Sequence, residues 1–480
     1  MQNNILSNRA EIDFLQSAFQ IEGYYLTNQQ VVAWVQKRRD AVAVNIEPIP
    51  FEKMNKWSFH PKTGNLEHES RKFFAIEGIQ IATNWGNNSN WSQPIINQPE
   101  IGFLGFITKK IKGVLHFLIQ AKIEPGNINF VQLSPTLQAT KSNYSKVHKG
   151  KTPLYLGYFN GEKNARVLLD QLQSEQGSRF LKKRNRNMIV EIEEEIEIDD
   201  DFCWVTLGQI KSLLKQDNLV NMDTRTVISG ISFGSYPQNG VALVRHFVYQ
   251  QRDDGDRKQQ MLLSALNSEN GYYSFEEILS WITRLKSKFE LDVNRIPLAE
   301  VQGWVKTPTE IHHKDRKYFS VIGCNIHIGN REVVSWCQPL IKSAQEGIIA
   351  FLVKQINGIP HFLVQAKVEA GNFDILELAP TVQCLTGNYR KGLNEYEVPF
   401  IREVLETTPE RVLYRSLQSE EGGRFYREQN LNIIAEVKDD FLAELPENYM
   451  WMTLNQLYTF IKFNNYLNIQ ARSLLAAVTF

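Results

Sequence analysis

At 480 residues, with 42% hydrophobic and 22% charged side chains, the chain has the balance of a globular polypeptide long enough to bury a core in each of two halves. Lys plus Arg and Asp plus Glu both number 53, so no net field draws it to nucleic acid or to an anionic membrane. Cys203, Cys324, Cys337 and Cys384 lack CxxC spacing, so neither a disulfide framework nor a zinc ribbon is indicated, and the longest apolar run, 348–353, falls far short of the about 20 residues that cross a bilayer.

In chain order, the first signal is a capping box, Thr27 with Gln30, ahead of an apolar helix. Ser274 and Glu277 repeat it at an offset of 274 − 27 = 247, and Trp34 with Trp281, Pro50 with Pro297 and Trp57 with Trp304 keep the interval. From His68 with His313 onward the offset is 245. It governs the strongest repeat in the chain, His116 to Asn127 (HFLIQAKIEPGN) with His361 to Asn372 (HFLVQAKVEAGN). The protein is therefore a duplicated unit, and an internal repeat takes precedence over a domain count based on length.

Before each signature an apolar run ends in Lys112-Gly113 or Asn357-Gly358, which predicts a β-hairpin with a type I′ turn. Alternation along the second strand sets Phe117, Ile119, Ala121 and Ile123 on one face, with Leu118, Gln120, Lys122 and Glu124 on the other. A short strand and a polar, basic loop over 139–153 follow, matched in the second half by 386–398. Leu172 to Phe180, repeated as Leu417 to Phe425, is expected to start a helix near Ser174, placing Glu175 with Arg179 and Glu420 with Arg424 at i,i+4. A strand over 188–198 and two closing helices, capped by Thr206 with Gln209 and Thr453 with Gln456, end each half. The polar stretch Arg252 to Gln260 is expected to be linker, preceded by an apolar run, Val241 to Tyr249, suited to a subunit or inter-half contact. The expected division is a first repeat over 1–233, a connection over 234–273 and a second repeat over 274–480, both α+β with mixed sheets.

No GxSxG, HExxH, Walker or dinucleotide-binding motif is complete, so chemistry must come from Glu, Lys, Arg, Tyr, His and amide side chains. The polar face Gln120, Lys122 and Glu124 adjoins the Pro-Gly-Asn127 turn and the basic loop, and sites concentrate on loops held by a rigid sheet. Lys141, Asn143, Tyr144, Lys146 and His148, with Arg184, Asn185 and Arg186, suit a pyrophosphate, which accepts charge-assisted hydrogen bonds. Gln138 completes the first set; Gln365, Lys367, Glu369, Asn372, Gln383, Asn388, Tyr389, Glu420 and Arg424 form the corresponding second pocket. The first half alone keeps Lys141, Lys146, His148 and the basic run 182–186, which favours it as the working site and leaves the second vestigial or regulatory.

The signature, with Gln132 to Tyr144, Ser174 to Gly177 and Lys183 to Asn187, resembles the NDP-4-keto-6-deoxyhexose 2,3-dehydratases of deoxysugar biosynthesis, from about Phe14 to Phe480. The resemblance implies two Nudix-like halves in a homodimeric lyase that needs no cofactor and acts on a TDP-linked 4-keto-6-deoxy-D-glucose; a cytoplasmic location is expected because residues 1–19 lack the apolar run of a signal peptide and no run is long enough to span a bilayer. A separate NADPH-dependent 3-ketoreductase would reduce the product. The Nudix box that binds a hydrolytic metal is missing, and neither Arg402-Glu403 nor the acidic run at Glu193 supplies it. In the implied elimination, Glu124 or Glu175 is the base, Lys122 or Arg179 stands near the enolate, and Tyr144 or His148 assists the leaving hydroxyl. A metal-dependent nucleotide-sugar hydrolase and a non-catalytic nucleotide-sugar-binding protein are the alternatives.

Overall fold

The computed structural model describes residues 2–140, 152–237, 240–241, 255–329, 334–385, 398–438, 440–441 and 444–480. Each half centres on a seven-stranded mixed sheet with the repeated signature near its middle. In the first half Val114–Ile123 pairs antiparallel with Gly102–Ile111 and with Phe202–Thr206. Arg184–Glu191 joins Gly102–Ile111 in parallel, and Arg166–Ser174 closes that edge. The second half repeats this order with Ile359–Lys367 in the signature's place. The hairpin turns are as predicted: Lys112 and Gly113 have φ of 50° and 83°, Asn357 and Gly358 of 53° and 77°, the left-handed pairs that a type I′ turn needs.

Alternation on the signature strand holds, but both faces are covered. Phe117, Ile119, Ala121 and Ile123 enter a large core shared by the two halves, whereas Leu118 packs into a separate cluster with Ile107, Val190 and Trp204. Only beyond Leu118 does the second face turn polar, so the Gln-Lys-Glu stretch lies at the rim of a packed sheet. His116 and His361 are fully buried, each with Nδ1 2.8 Å from the carbonyl of Val114 or Ile359. All four expected capping boxes form, each worth about 1 kcal/mol.

Three local expectations fail, each for a physical reason. No helix starts near Ser174: the strand Arg166–Ser174 is held in the ladder to its last residue, and a single turn follows, in which Arg179 N and Phe180 N both donate to the Gln176 carbonyl. The next strand is Arg184–Glu191 rather than 188–198, because its parallel partner fixes it from Gly102 to Thr108 and leaves the acidic run outside the sheet. The supposed linker runs into the helix Gly255–Leu266. Its Ser264 Oγ donates to the Pro360 carbonyl at 2.6 Å and accepts from Leu454 N at 2.9 Å, as Ser17 of the first helix, Gln2–Phe19, does with Leu115 and Leu207. The segment opens the second half as the N-terminal helix opens the first.

The halves are interleaved. Val44–Ile49 pairs with Phe319–Ile328, and Leu291–Ile296 pairs with Ala75–Thr83, so each half lends a strand to the other's five-stranded sheet. A bidentate ion pair from Arg295 to buried Glu77, 2.7 and 2.8 Å, ties one exchange down. At the centre, the helices Met222–Ser229 and Ile469–Ala476 are buried along their whole length. Arg225 donates to Ser473 Oγ at 2.7 Å and to the Ser419 carbonyl; Arg472 donates to Thr226 Oγ1 at 2.9 Å and to the Ser174 carbonyl. Each guanidinium thereby pins the strand end that leads into the opposite half's 175–180 or 420–425 turn, at about 1.5–3 kcal/mol per charged hydrogen bond.

Candidate active site

Two repeated turns dock reciprocally and build the site. Gly126 N donates to the Gly422 carbonyl at 2.6 Å, and Arg427 N to the Gly126 carbonyl at 2.7 Å. A Cβ at Gly126 would stand 1.6 Å from the Phe425 carbonyl oxygen, so only glycine permits this approach. The mirror contact joins Gly371 N to the Gly177 carbonyl at 2.6 Å. The Pro-Gly-Asn or Ala-Gly-Asn turn of each half is therefore seated on the 420–425 or 175–180 turn of the other.

At the first of these junctions Glu124, 4% exposed, follows the end of the signature strand. Gln138 Nε2 donates to one carboxylate oxygen at 2.6 Å, while Asn127 Nδ2 and Asn221 Nδ2 reach the other at 3.3 and 3.2 Å. Asn221 also caps the central helix, its Oδ1 accepting from Thr224 N at 2.8 Å, which sets Asp223 in the first turn. Glu175 is buried and takes Asn185 Nδ2 at 2.6 Å, and Asn185 Oδ1 takes Gly102 N at 3.2 Å. Glu421 and Arg424 arrive from the second half. The Arg424 guanidinium donates to Gln98 Oε1 at 3.2 and 3.0 Å and lies 4.1 Å from the centre of the Phe74 ring.

Crowding sets the proton affinities. Burial, then the charges of Glu124, Glu421 and Glu175, raise Asp223 well above the usual carboxylate range, against the pull of Lys122. Burial also lifts Glu421 to about 8, Arg424 opposing and Glu175 and Glu124 adding to the rise. Glu175 is raised by burial against the opposing charges of Lys183, Arg472 and Arg424. The Lys183 ammonium is lowered by burial and supported by Glu175 and Glu100. The cluster thus combines a carboxylate fixed by three amides, acids that hold protons near neutrality, and cations in a shielded setting. That is the equipment of general acid–base chemistry with a stabilised anion.

The second junction keeps the frame and alters the charges. Gln383 Nε2 donates to Glu369 at 3.1 Å, Asn468 Nδ2 to Gln383 at 2.8 Å, and Lys367 Nζ to the Gln383 carbonyl at 3.1 Å. Glu420 accepts from Asn430 at 2.5 Å and from Gln176 of the first half at 2.8 Å. Burial, then Glu428, raises Glu420 to about 7, with Arg225 opposing. Asn372 is buried beside Gly177.

The structure separates residues that the sequence reading kept together. Glu175 belongs to the first junction, but Arg179 crosses to the second, its guanidinium 4.3 Å from the Phe319 ring centre and facing Glu428, Glu369 and Glu420. Arg424, expected in the second pocket, crosses to the first. Alternation on Arg184–Glu191 turns Asn185 towards Glu175 and the two arginines away: Arg184 stacks over Phe373 at 4.8 Å, and Arg186 is bound by Asp170 at 2.7 and 2.6 Å. Gln120, Lys122 and Gln365 are half-buried on their strands. Lys141, Asn143, Tyr144, Lys146, His148, Asn388 and Tyr389 lie outside the described residues. Asn221, Asp223, Lys183 and Glu421 were missed as site residues. The legible signal was the helix start Asn221-Met-Asp-Thr-Arg225 against Asn468-Ile-Gln-Ala-Arg472, where a repeated cap precedes a changed charge.

Comparison with known proteins fits this chemistry. The profile described as NDP-hexose 2,3-dehydratase matches twice, over 28–231 and 275–478. A dTDP-4-dehydro-6-deoxy-alpha-D-glucopyranose 2,3-dehydratase of Saccharopolyspora spinosa is 46% identical over 97% of this chain and 94% of its own. Proteins of the same description from Amycolatopsis orientalis and Streptomyces violaceoruber are 41% identical over 96% of this chain and 92% of theirs, and 40% identical over 93% and 96%. With the profile covering both repeats and these relatives aligned over nearly the whole length, the chain belongs to the NDP-hexose 2,3-dehydratase family.

Proposed function

We infer that this protein is a carbon–oxygen lyase that removes the C2 hydroxyl and the C3 proton of TDP-4-keto-6-deoxy-D-glucose. The observation that carries the reading is the near-full-length similarity to dehydratases of that description, with a first junction equipped for acid–base work. The C4 ketone acidifies the C3 proton. Glu124, both of whose oxygens are held by amides, is the base, and Lys122 with Arg424 stands by the enolate oxygen. Arg424 takes the place first given to Arg179, since it is the arginine at this junction. Gln138, Asn127, Asn185 and Asn221 orient the carboxylates. The enol formed by loss of water tautomerises to a 3,4-diketo-2,6-dideoxy sugar nucleotide.

In the same reading the halves are Nudix-like, two chains form a cytoplasmic homodimer, and an NADPH-dependent 3-ketoreductase consumes the product. The second junction is a vestigial or regulatory pocket. The test supplies TDP-4-keto-6-deoxyglucose with such a ketoreductase and NADPH, with and without EDTA. NADPH loss that EDTA does not slow is the expected result; metal-dependent release of TMP would make the protein a hydrolase instead.

A further inference from the structure

The two junctions treat one interaction differently. At the second, Gln176 Nε2 donates to Glu420 Oε2 at 2.8 Å across the halves. The 245-residue offset maps Gln176 onto Glu421 and Glu420 onto Glu175, so in the repeat the amide's position is held by a carboxyl, Glu421, on which the charge of Glu175 acts. A carboxyl replaces an amide donor only while it carries a proton. The charge count agrees: Glu124, Asp223, Glu175, Glu421 and Glu100 face Lys122, Lys183, Arg424 and Arg472, five acids against four cations, so a shared proton restores balance. Glu421 is half-buried while Glu175 is 6% exposed, which makes Glu421 the outer member of the pair. Its neighbour Gly422 packs against Glu124, where an added Cβ would lie 2.8 Å from that of Glu124, so the acid starts one residue from the base.

We propose that Glu421, supplied by the second half, is the acid that protonates the departing C2 hydroxyl at the first junction, sharing its proton with Glu175 beforehand. The proposal rests on the elimination assigned above. In the step, Glu124 takes the C3 proton and the C–H electron pair forms the C3–C4 enolate. As C4=O returns, that pair becomes the C2–C3 double bond, the C2–O bond breaks, and the oxygen takes the Glu421 proton to leave as water. Tautomerisation then resets both groups: Glu124 delivers its proton to C2 and the Glu421 carboxylate takes the enol proton from the C3 oxygen. No oxidant, reductant or further reactant enters.

The test uses full-length Glu421→Gln, which copies the amide–carboxylate pair of the second junction, and Glu421→Asp, which keeps a proton on a shorter arm. The wild-type chain must first turn over the substrate; if it does not, the assigned reaction fails rather than this role. Turnover by Glu421→Gln should fall about 10²–10⁴-fold, the usual worth of a general acid. TDP affinity and melting temperature should stay unchanged, and C3 hydrogen–deuterium exchange in D₂O, followed by NMR, should continue without water loss. Glu421→Asp should retain intermediate turnover. The wild-type rate should decline as pH rises through about 8, an acid limb set by Glu421 among Arg424, Glu175, Glu124, Lys183 and Asp223, and Glu421→Gln should lack it. A Glu421→Gln rate within threefold of wild type, or loss of exchange together with elimination, overturns the proposal.

Discussion

The two junctions share a backbone and a Lys-Glu-Gln-Asn frame yet differ in almost every other charge. Lys183 answers to Glu428, Glu421 to Gln176, Asp223 to Gln470, Gln132 to Glu377 and Glu100 to Gln345. The first junction gathers acids beside cations; the second replaces three of those acids, Glu421, Asp223 and Glu100, with amides and Lys183 with a glutamate. Both copies keep the frame, with Glu124 matched by Glu369 and Glu175 by Glu420, and they part in the groups around it. That contrast can be broken in three ways.

The largest effect is expected at the shared carboxylate. Glu124→Gln should lower turnover by about 10³–10⁴-fold, whereas Glu369→Gln should leave it within about tenfold, as read by coupled NADPH loss. Equal losses would mean that both junctions work, or neither. Next come the crossing arginines. Arg424→Met should cost about 10²-fold in kcat, and Arg179→Met far less, although the two should lower the melting temperature alike, since both guanidiniums are surrounded by carboxylates and stacked on a phenylalanine. A rate loss that followed stability in both would reduce Arg424 to a structural part.

The smallest effect concerns pH. Burial raises Glu377 to about 8, Ser174 Oγ and Arg472 opposing. A carboxyl whose folded pKa is raised adds stability that is fully present below its unfolded pKa, near 4.5, and is lost as pH rises through about 8. Gln132 at the equivalent place donates to Ser419 Oγ at 2.7 Å without that dependence. Glu377→Gln should therefore raise the melting temperature by a few degrees at pH 9, about 1–3 kcal/mol, and change little at pH 5. An equal shift at both values would remove ionisation from the explanation.

Much of this was legible in the sequence, but unevenly. Caps, hairpin turns and the alternation of the signature strand are local, and the local pattern sufficed. The 172–180 stretch was misread because i,i+4 spacing of Glu175 and Arg179 resembles a helix pair, whereas ladder pairing up to Ser174 sends the two residues to different junctions. Periodicity also says nothing about which half a strand pairs with, so the exchanges of Val44–Ile49 and Leu291–Ile296 were hidden. Asp223 and Glu421 are not marked by the repeat, because both occupy positions where the copies part.

The exchanged strands also set a timetable for the nascent polypeptide. Thr83 pairs with Leu291, 291 − 83 = 208 residues later in translation. At about 5–20 residues per second, the edge of Ala75–Thr83 waits roughly 10–40 s outside the ribosome for its partner. During that interval an isoleucine-rich edge stands open to other chains, and chaperone shielding or slow dilute expression should decide how much protein escapes aggregation.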